Sequence, residues 1–245
     1  MLLNKDMVSN GNFLFKYRGY IPGVMLALSF FTVYTHGYNF ELGEGIYKYL
    51  ALAFIFLGAA VRFYTIAYTP SGTSGRNTEK QVASQLNSTG IYSQCRNPLY
   101  LGNFLIYIGI MVYSQSWLLV LLFSTLFWVY YERIISAEEN FLQDKFGPAY
   151  EEWANETPVF WPKMKDFKEN VIPFTYMNVI YREKETLVFS ILSLLLINTF
   201  AHYVMQGVLT ADDWLIGSSA LLVIAYIVIR QVGKSTDTFK VEGRD

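Results

Sequence analysis

Residues Leu99–Tyr131, LYLGNFLIYIGIMVYSQSWLLVLLFSTLFWVYY, form an uncharged run of 33 residues. A helix needs about 20 apolar residues, rising about 1.5 Å each, to cross a bilayer. The run is therefore too long for one ordinary span. Its only polar patch, Tyr113-Ser114-Gln115-Ser116, divides it into two slightly short arms. We read it as a helical hairpin whose arms use interfacial residues to complete each crossing; the alternative is one long tilted helix. Four more apolar stretches, Tyr20–His36, Ile46–Tyr68, Thr186–Met205 and Trp214–Ile229, bring the count to six. The expected fold is all-α: a polytopic integral membrane bundle of about six transmembrane helices, hairpin included, plus cytoplasmic membrane-proximal helices.

Composition agrees. The chain has 53% hydrophobic and 18% aromatic residues but only 16% charged ones, against about 25% charged in soluble domains. A net charge of -1 gives no hint of a nucleic-acid partner. The single Cys95 rules out an intrachain disulfide framework, and no CxxC or Cys/His cluster is present to hold zinc. No metal is expected. His36 and His202 both stand beside apolar runs and read as interfacial or packed residues. The start, MLLNKDMVSNGN, lacks a signal-peptide core and reads as a short polar tail.

Lysine and arginine placement orients the helices, because cytoplasmic loops are enriched in them. They cluster in the N-terminal segment, in the loop after the second helix, between Glu132 and Glu185, and after Ile229. The alternate loops carry Glu41, Glu44, Asp212 and Asp213 instead, with Lys48 at an outer helix end as the one exception. Both termini are expected in the cytoplasm. The chain then divides into residues 1–68 (tail and two helices), 69–162 (loop, hairpin and a cytoplasmic segment) and 163–245 (an extension with two helices). Within the second part, Pro70–Asn77, PSGTSGRN, is a loop by composition. Residues 132–146 have a helical pattern ended by Gly147-Pro148, and the aromatic-rich Tyr150–Trp161 is expected on the membrane surface or folded over a site.

Two constellations could carry chemistry. In Arg96-Asn97-Pro98-x-Tyr100-x-Gly102, Pro98 suits a first helical turn, and the helix N-terminus favours anions. Arg96 is the last charge before Glu132. An ionisable group at that boundary is either functional or a snorkelling anchor. The second is Glu138-Glu139, followed by Phe146-Gly147 and Tyr150; two carboxylates there accept hydrogen bonds from a hydroxylated, cationic ligand, or form a solvated helix face. Arg62 lies about two turns inside the second helix, free to snorkel or to pair with Glu132 or Glu138.

Taken in order, Gly90-Ile91-Tyr92, Arg96-Asn97-Pro98-Leu99-Tyr100-Leu101-Gly102, Glu138-Glu139, Leu142, Phe146-Gly147 and Tyr150 resemble the isoprenylcysteine carboxyl methyltransferase and phospholipid methyltransferase superfamily of integral membrane enzymes. The resemblance covers roughly Ile46 to Pro162 and includes the hairpin. It implies S-adenosylmethionine-dependent methyl transfer at the cytoplasmic face, with a lipid substrate entering from the bilayer. By similarity, the cofactor is held by Gly90, Tyr92, Asn97, Pro98, Tyr100, Gly102, Glu138 and Glu139. Arg96 and Asn97 are the catalytic candidates, Arg96 orienting the acceptor or the cofactor's carboxylate. The family usually has His where this chain has Asn97, and asparagine cannot shuttle a proton at neutral pH. The C-terminal helix pair lies outside the family core.

The sulfonium already activates the methyl group, so the protein mainly aligns nucleophile, carbon and leaving sulfur. A carboxylate or phosphate is ionised at neutral pH and needs no base, whereas an amine acceptor needs one. The stretch TSGRNT (73–78), with Leu86-Asn87 and RNPLYLGN, looks like a bacterial branch that includes lipid A 1-phosphate methyltransferases. That points to a lipid phosphate in an inner membrane, with prenylcysteine carboxylate as the alternative acceptor. The non-enzymatic alternative is a membrane scaffold or transporter, though no matched pair of broken helices appears.

Overall fold

The computed structural model describes residues 3–36, 40, 42, 45–70 and 81–239. Most of the Pro70–Asn77 loop, the TSGRNT stretch, Glu41, Glu44, Lys80, Lys240 and Arg244 fall outside them. The described chain is all-helical, with α1 Leu3–Tyr17, α2 Ile21–His36, α3 Ile46–Ala67, α4 Pro98–Tyr113, α5 Trp117–Phe146, α6 Pro148–Glu156, α7 Tyr176–Gln206 and α8 Asp213–Ser235. Short 3-10 turns occupy Arg18–Tyr20 and Gly90–Ser93. It is a polytopic membrane bundle: α3, α5, α7 and α8 are each long and apolar enough to span a bilayer. At 16 residues apiece, α2 and α4 reach about 24 Å, short of a core about 30 Å thick.

The hairpin forms where the polar patch predicts it. Pro98 opens α4, and α4 ends at Tyr113. The chain turns through Gln115, at φ 58, and Ser116 starts α5 by accepting from the Leu119 N–H at 3.3 Å. Helix α5 then runs 30 residues without a break, about 45 Å. Its first half is the apolar arm; its second carries Glu138 and Glu139 beyond it. Gly147, at φ 54, ends α5, and Pro148 opens α6.

Helices α3 and α4 pack more extensively than any other described pair. Gly58 lies against the Gly102 carbonyl, and Gly109 against the Ala51 carbonyl. A Cβ at Gly58 would meet that carbonyl oxygen at 2.6 Å, so small residues are what let these backbones approach.

Two expectations are corrected. The N-terminal segment is not a polar tail: α1 lies along α5, with Gly11 against the Arg133 backbone and Tyr130 Oη donating to the Leu14 carbonyl at 2.7 Å. Met7, Val8, Gly11, Leu14 and Phe15 make the i, i+3/i+4 stripe that explains it, diluted in sequence by the polar residues between. Arg62 pairs with neither Glu132 nor Glu138, but with Glu183 of α7.

Helix α7 starts ten residues before the apolar run at Thr186 and packs on α2, α3 and α4. Thr175 N–H donates to the Ala67 carbonyl at 3.1 Å and Asn178 Nδ2 to Ile66 at 3.2 Å. The first satisfies a carbonyl at the end of α3, and the second adds to the Ile66 carbonyl, which also accepts from the Thr69 N–H at 3.3 Å. At the other end of the bundle, Asn198 bonds Tyr113 Oη and Asp212, and His202 meets Asp212 at 3.1 Å. His36 meets the Thr35 hydroxyl. Lys48 sits 4.8 Å over the Trp214 ring, a cation–π contact that accommodates the outer-side lysine.

Candidate functional site

The described residues just before α4, 81–97, are short of regular structure and are held by a strap, residues 157–170. Gly90, at φ 59, donates its N–H to the Lys168 carbonyl at 2.8 Å. Ser93 Oγ bonds the Gly90 carbonyl and accepts from the Lys168 N–H. Gln94 Nε2 donates to Lys165, and Lys163 N–H to Gln94. Arg96 N–H donates to the Pro158 carbonyl at 2.9 Å, and Asn97 Nδ2 to Val159 at 3.0 Å. The aromatic stretch does fold over the motif.

Beside this segment lies a cavity of about 520 Å³, walled by α3, residues 81–83, α4, α5, α6 and α7 and capped by the α1–α2 corner. Of the residues singled out in the sequence, Tyr92, Arg96, Asn97, Pro98, Tyr100, Glu138 and Glu139 line it; Gly90 and Gly102 do not. Gly90 packs on the Asn170 side chain, and Gly102 on Gly58 and the Arg62 stem. Both glycines shape the walls rather than face the space.

Opposite charges meet around this cavity. Tyr100 Oη donates to Glu138 Oε1 at 2.9 Å, and Arg18 Nη1 stands 3.8 Å from the same oxygen. Arg96 Nη2 lies 3.1 Å from Glu139 Oε1, and Nη1 reaches the Ala154 carbonyl at 3.4 Å. Deeper, Arg62 makes a two-pronged pair with Glu183, Nε to Oε2 at 2.7 Å and Nη2 to Oε1 at 2.6 Å, and Nη1 donates to Asn103 Oδ1 at 2.6 Å.

Burial sets the protonation of the remaining groups. It pushes the Tyr92 phenol up to about 12 and the Cys95 thiol up to about 12, so both stay neutral. Cys95 is fully buried and an inert packing residue. Burial likewise raises Tyr150, reinforced by the neighbouring Glu139 carboxylate. Among the described residues, the buried polar side-chain atoms that make no hydrogen bond include three on this cavity: Arg96 Nε, Glu139 Oε1 and Tyr150 Oη. Native proteins rarely leave such atoms unpaired; Glu139 Oε1 keeps its ion pair with Arg96 Nη2, while Arg96 Nε and Tyr150 Oη remain donors open to a polar ligand. The volume is within the usual range for small-molecule sites, about 300–1,000 Å³.

Residues 46–149, which supply most of these walls, match the phospholipid methyltransferase family model. This segment is similar to the isoprenylcysteine and phospholipid methyltransferases. The protein-S-isoprenylcysteine O-methyltransferase of Schizosaccharomyces pombe is 29% identical over 119 residues, 46% of this chain and 48% of its own. That of Saccharomyces cerevisiae is 30% identical over 128 residues, 51% of this chain and 53% of its own. The nickel-cobalt-cadmium resistance protein NccN of Alcaligenes xylosoxydans xylosoxydans is 33% identical over 86 residues, 35% of this chain and 40% of its own. The chain thus spans about half the length of the curated relatives it matches. No solved structure matches it.

Sequence reasoning missed three contributors, all outside the family segment or silent in it. Arg18 comes from the turn after α1, Glu183 from α7, and Asn103 from inside α4. Asn103 carried the one visible signal, an amide within an uncharged helix; nothing local announces Glu183 as the partner of Arg62.

Proposed function

We propose that the chain is an S-adenosylmethionine-dependent methyltransferase acting on an ionised oxygen of a membrane lipid, foremost a lipid phosphate such as the lipid A 1-phosphate. The observation that carries this reading is the convergence of Arg96, Tyr100, Glu138 and Glu139 on one cavity within the family segment. The bound cofactor would supply a methyl group already activated by its sulfonium. Glu138 and Glu139 would hold its polar groups, with Tyr92, Asn97 and Pro98 forming the adjoining wall. Arg96 is anchored at both ends of its guanidinium and positions the ligand that reaches it. Asn97 spends its amide N–H on Val159, a positioning role that asparagine fills without carrying a proton. An ionised acceptor asks for no proton transfer, which suits that substitution.

A second acceptor, the carboxylate of a prenylated cysteine, is favoured by the two yeast relatives named for it. Lipid extracts and membrane proteins from cells making the wild-type chain separate the two by mass spectrometry. Methylated lipid phosphate supports the first acceptor and carboxyl methyl ester the second; neither product sinks the enzyme reading.

Lysine and arginine placement supports an inner-membrane orientation with both termini, the strap and the cavity on the cytoplasmic side. Reporter fusions should read inside at Lys165 and outside at Asp212. The same side for both would defeat that orientation.

A further inference from the structure

The strap has two unlike edges. Its inward edge is polar backbone: the Lys168 carbonyl accepts from the Gly90 N–H at 2.8 Å, the Lys165 carbonyl from Gln94 Nε2 at 3.0 Å, and the Lys163 N–H donates to the Gln94 carbonyl at 3.1 Å. Its outward edge, continued to the start of α7, is apolar. Met164 is 85% exposed and Val171 79%, and Trp161, Phe167, Phe174 and Tyr176 are each more than half exposed. An apolar edge of this kind in water marks an interaction surface.

The level of the segment says what covers it. Trp161 packs edge-on against Phe104, ring centroids 6.2 Å apart, and Phe104 lies about 9 Å inside the apolar arm that Pro98 opens. At the other end Phe174 meets Tyr68 edge-on at 5.6 Å, and Thr175 N–H donates to the Ala67 carbonyl, both at the end of α3. The segment is thus pinned at both ends where apolar helices reach their polar ends, along the boundary between hydrocarbon and water. Irregular backbone is tolerated at that depth when protein satisfies its polar groups, as the inward bonds do. Three lysines, Lys163, Lys165 and Lys168, outnumber the acids Asp166 and Glu169. Lys163 and Lys165 flank Met164, an order in which apolar chain enters lipid while ammonium groups stay at phosphate level. We propose that Trp161–Phe174 is a membrane-interface anchor whose partner is the anionic lipid leaflet at this end of the bundle. Trp161, Met164, Phe167, Val171 and Phe174 enter the headgroup–acyl boundary, and Lys163 and Lys165 meet lipid phosphates. The leaflet and the Gly90–Gln94 backbone then grip one strap from opposite sides. The anchor is independent of the chemistry assigned to the cavity.

Spin labelling of the full chain in lipid nanodiscs tests this. Cys95 is fully buried, so a thiol introduced by Met164→Cys, Val171→Cys or Glu169→Cys takes the label selectively. Labels at positions 164 and 171 should collide several-fold more with oxygen, which concentrates in lipid, and less with a water-soluble nickel chelate, than the label at 169. Adding Lys163→Glu and Lys165→Glu should shift the label at 164 toward the chelate in discs containing phosphatidylglycerol, because each lysine contributes roughly fivefold to partitioning onto an anionic surface. In discs of phosphatidylcholine alone the shift should be smaller. Chelate access at 164 and 171 equal to that at 169 overturns the anchor, since the strap is then solvated. Exclusion of both probes overturns it in favour of cover by protein. An equal shift in both lipids, or none in either, overturns the anionic leaflet as the partner.

Discussion

Replacing Arg96 with lysine should lower methyl transfer roughly a hundredfold, the order of loss expected when reacting groups are misplaced by about 1 Å. The side chain works as a bracket: Nη2 beside Glu139, Nη1 on the Ala154 carbonyl, and Nε turned to the cavity. Lysine keeps the charge but concentrates it at one point and cannot serve three directions from a planar fork. The backbone bond from Arg96 N–H to Pro158 is untouched, so the strap stays docked and the chain still folds and inserts. Rates measured at saturating cofactor, with thermal unfolding followed in parallel, separate slow chemistry from a damaged fold. An interfacial anchor would behave differently, because lysine snorkels as well as arginine. Wild-type turnover from Arg96→Lys would return Arg96 to that role.

The bundle was legible because its cause is local. An apolar run either is long enough to cross a bilayer or is not, and Ser114–Ser116 breaks the longest one where the hairpin turns. Helix α1 was not legible for the opposite reason: its apolar stripe is narrow, Gly11 weakens the helical signal, and the stripe acquires meaning only against α5. The same division runs through the site. Arg96, Asn97, Tyr100, Glu138 and Glu139 lie near the hairpin, whose two arms bring them together, so their order along the chain already implied a shared cavity. Glu183 stands 121 residues from Arg62, and no local pattern selects it over the carboxylates nearer in sequence. Gly90 and Gly102 were read from a motif as ligand contacts, whereas the structure gives them packing work: one holds a left-handed turn under the strap, the other admits Arg62 and Gly58 at the α3–α4 crossing.

Removing Glu183 alone should destabilise the chain by about 3–5 kcal/mol, because it strands a buried charge. Glu183 is 1% exposed, and it takes both prongs of Arg62 at the depth of the α3–α4 packing. Glu183→Ala therefore leaves a guanidinium with only Asn103 for a partner. Removing both charges is a different matter, since a buried pair exchanged for apolar residues of similar volume often leaves stability unchanged or improved. Arg62→Leu with Glu183→Leu should recover most of the loss, less about 1 kcal/mol for the Asn103 oxygen that no longer accepts. Unfolding of the three chains in the same detergent measures this, and a double variant no more stable than Glu183→Ala would refute the pair as the source of the loss. The double variant then isolates function from stability. Arg62, Asn103 and Glu183 all line the cavity, and the pair is one of the contacts that join α7 to the family segment. A stable double variant that binds S-adenosylhomocysteine but no longer transfers methyl would place Arg62 at the acceptor's end of the cavity. One that retains full turnover would confine the pair to holding α7 against α3.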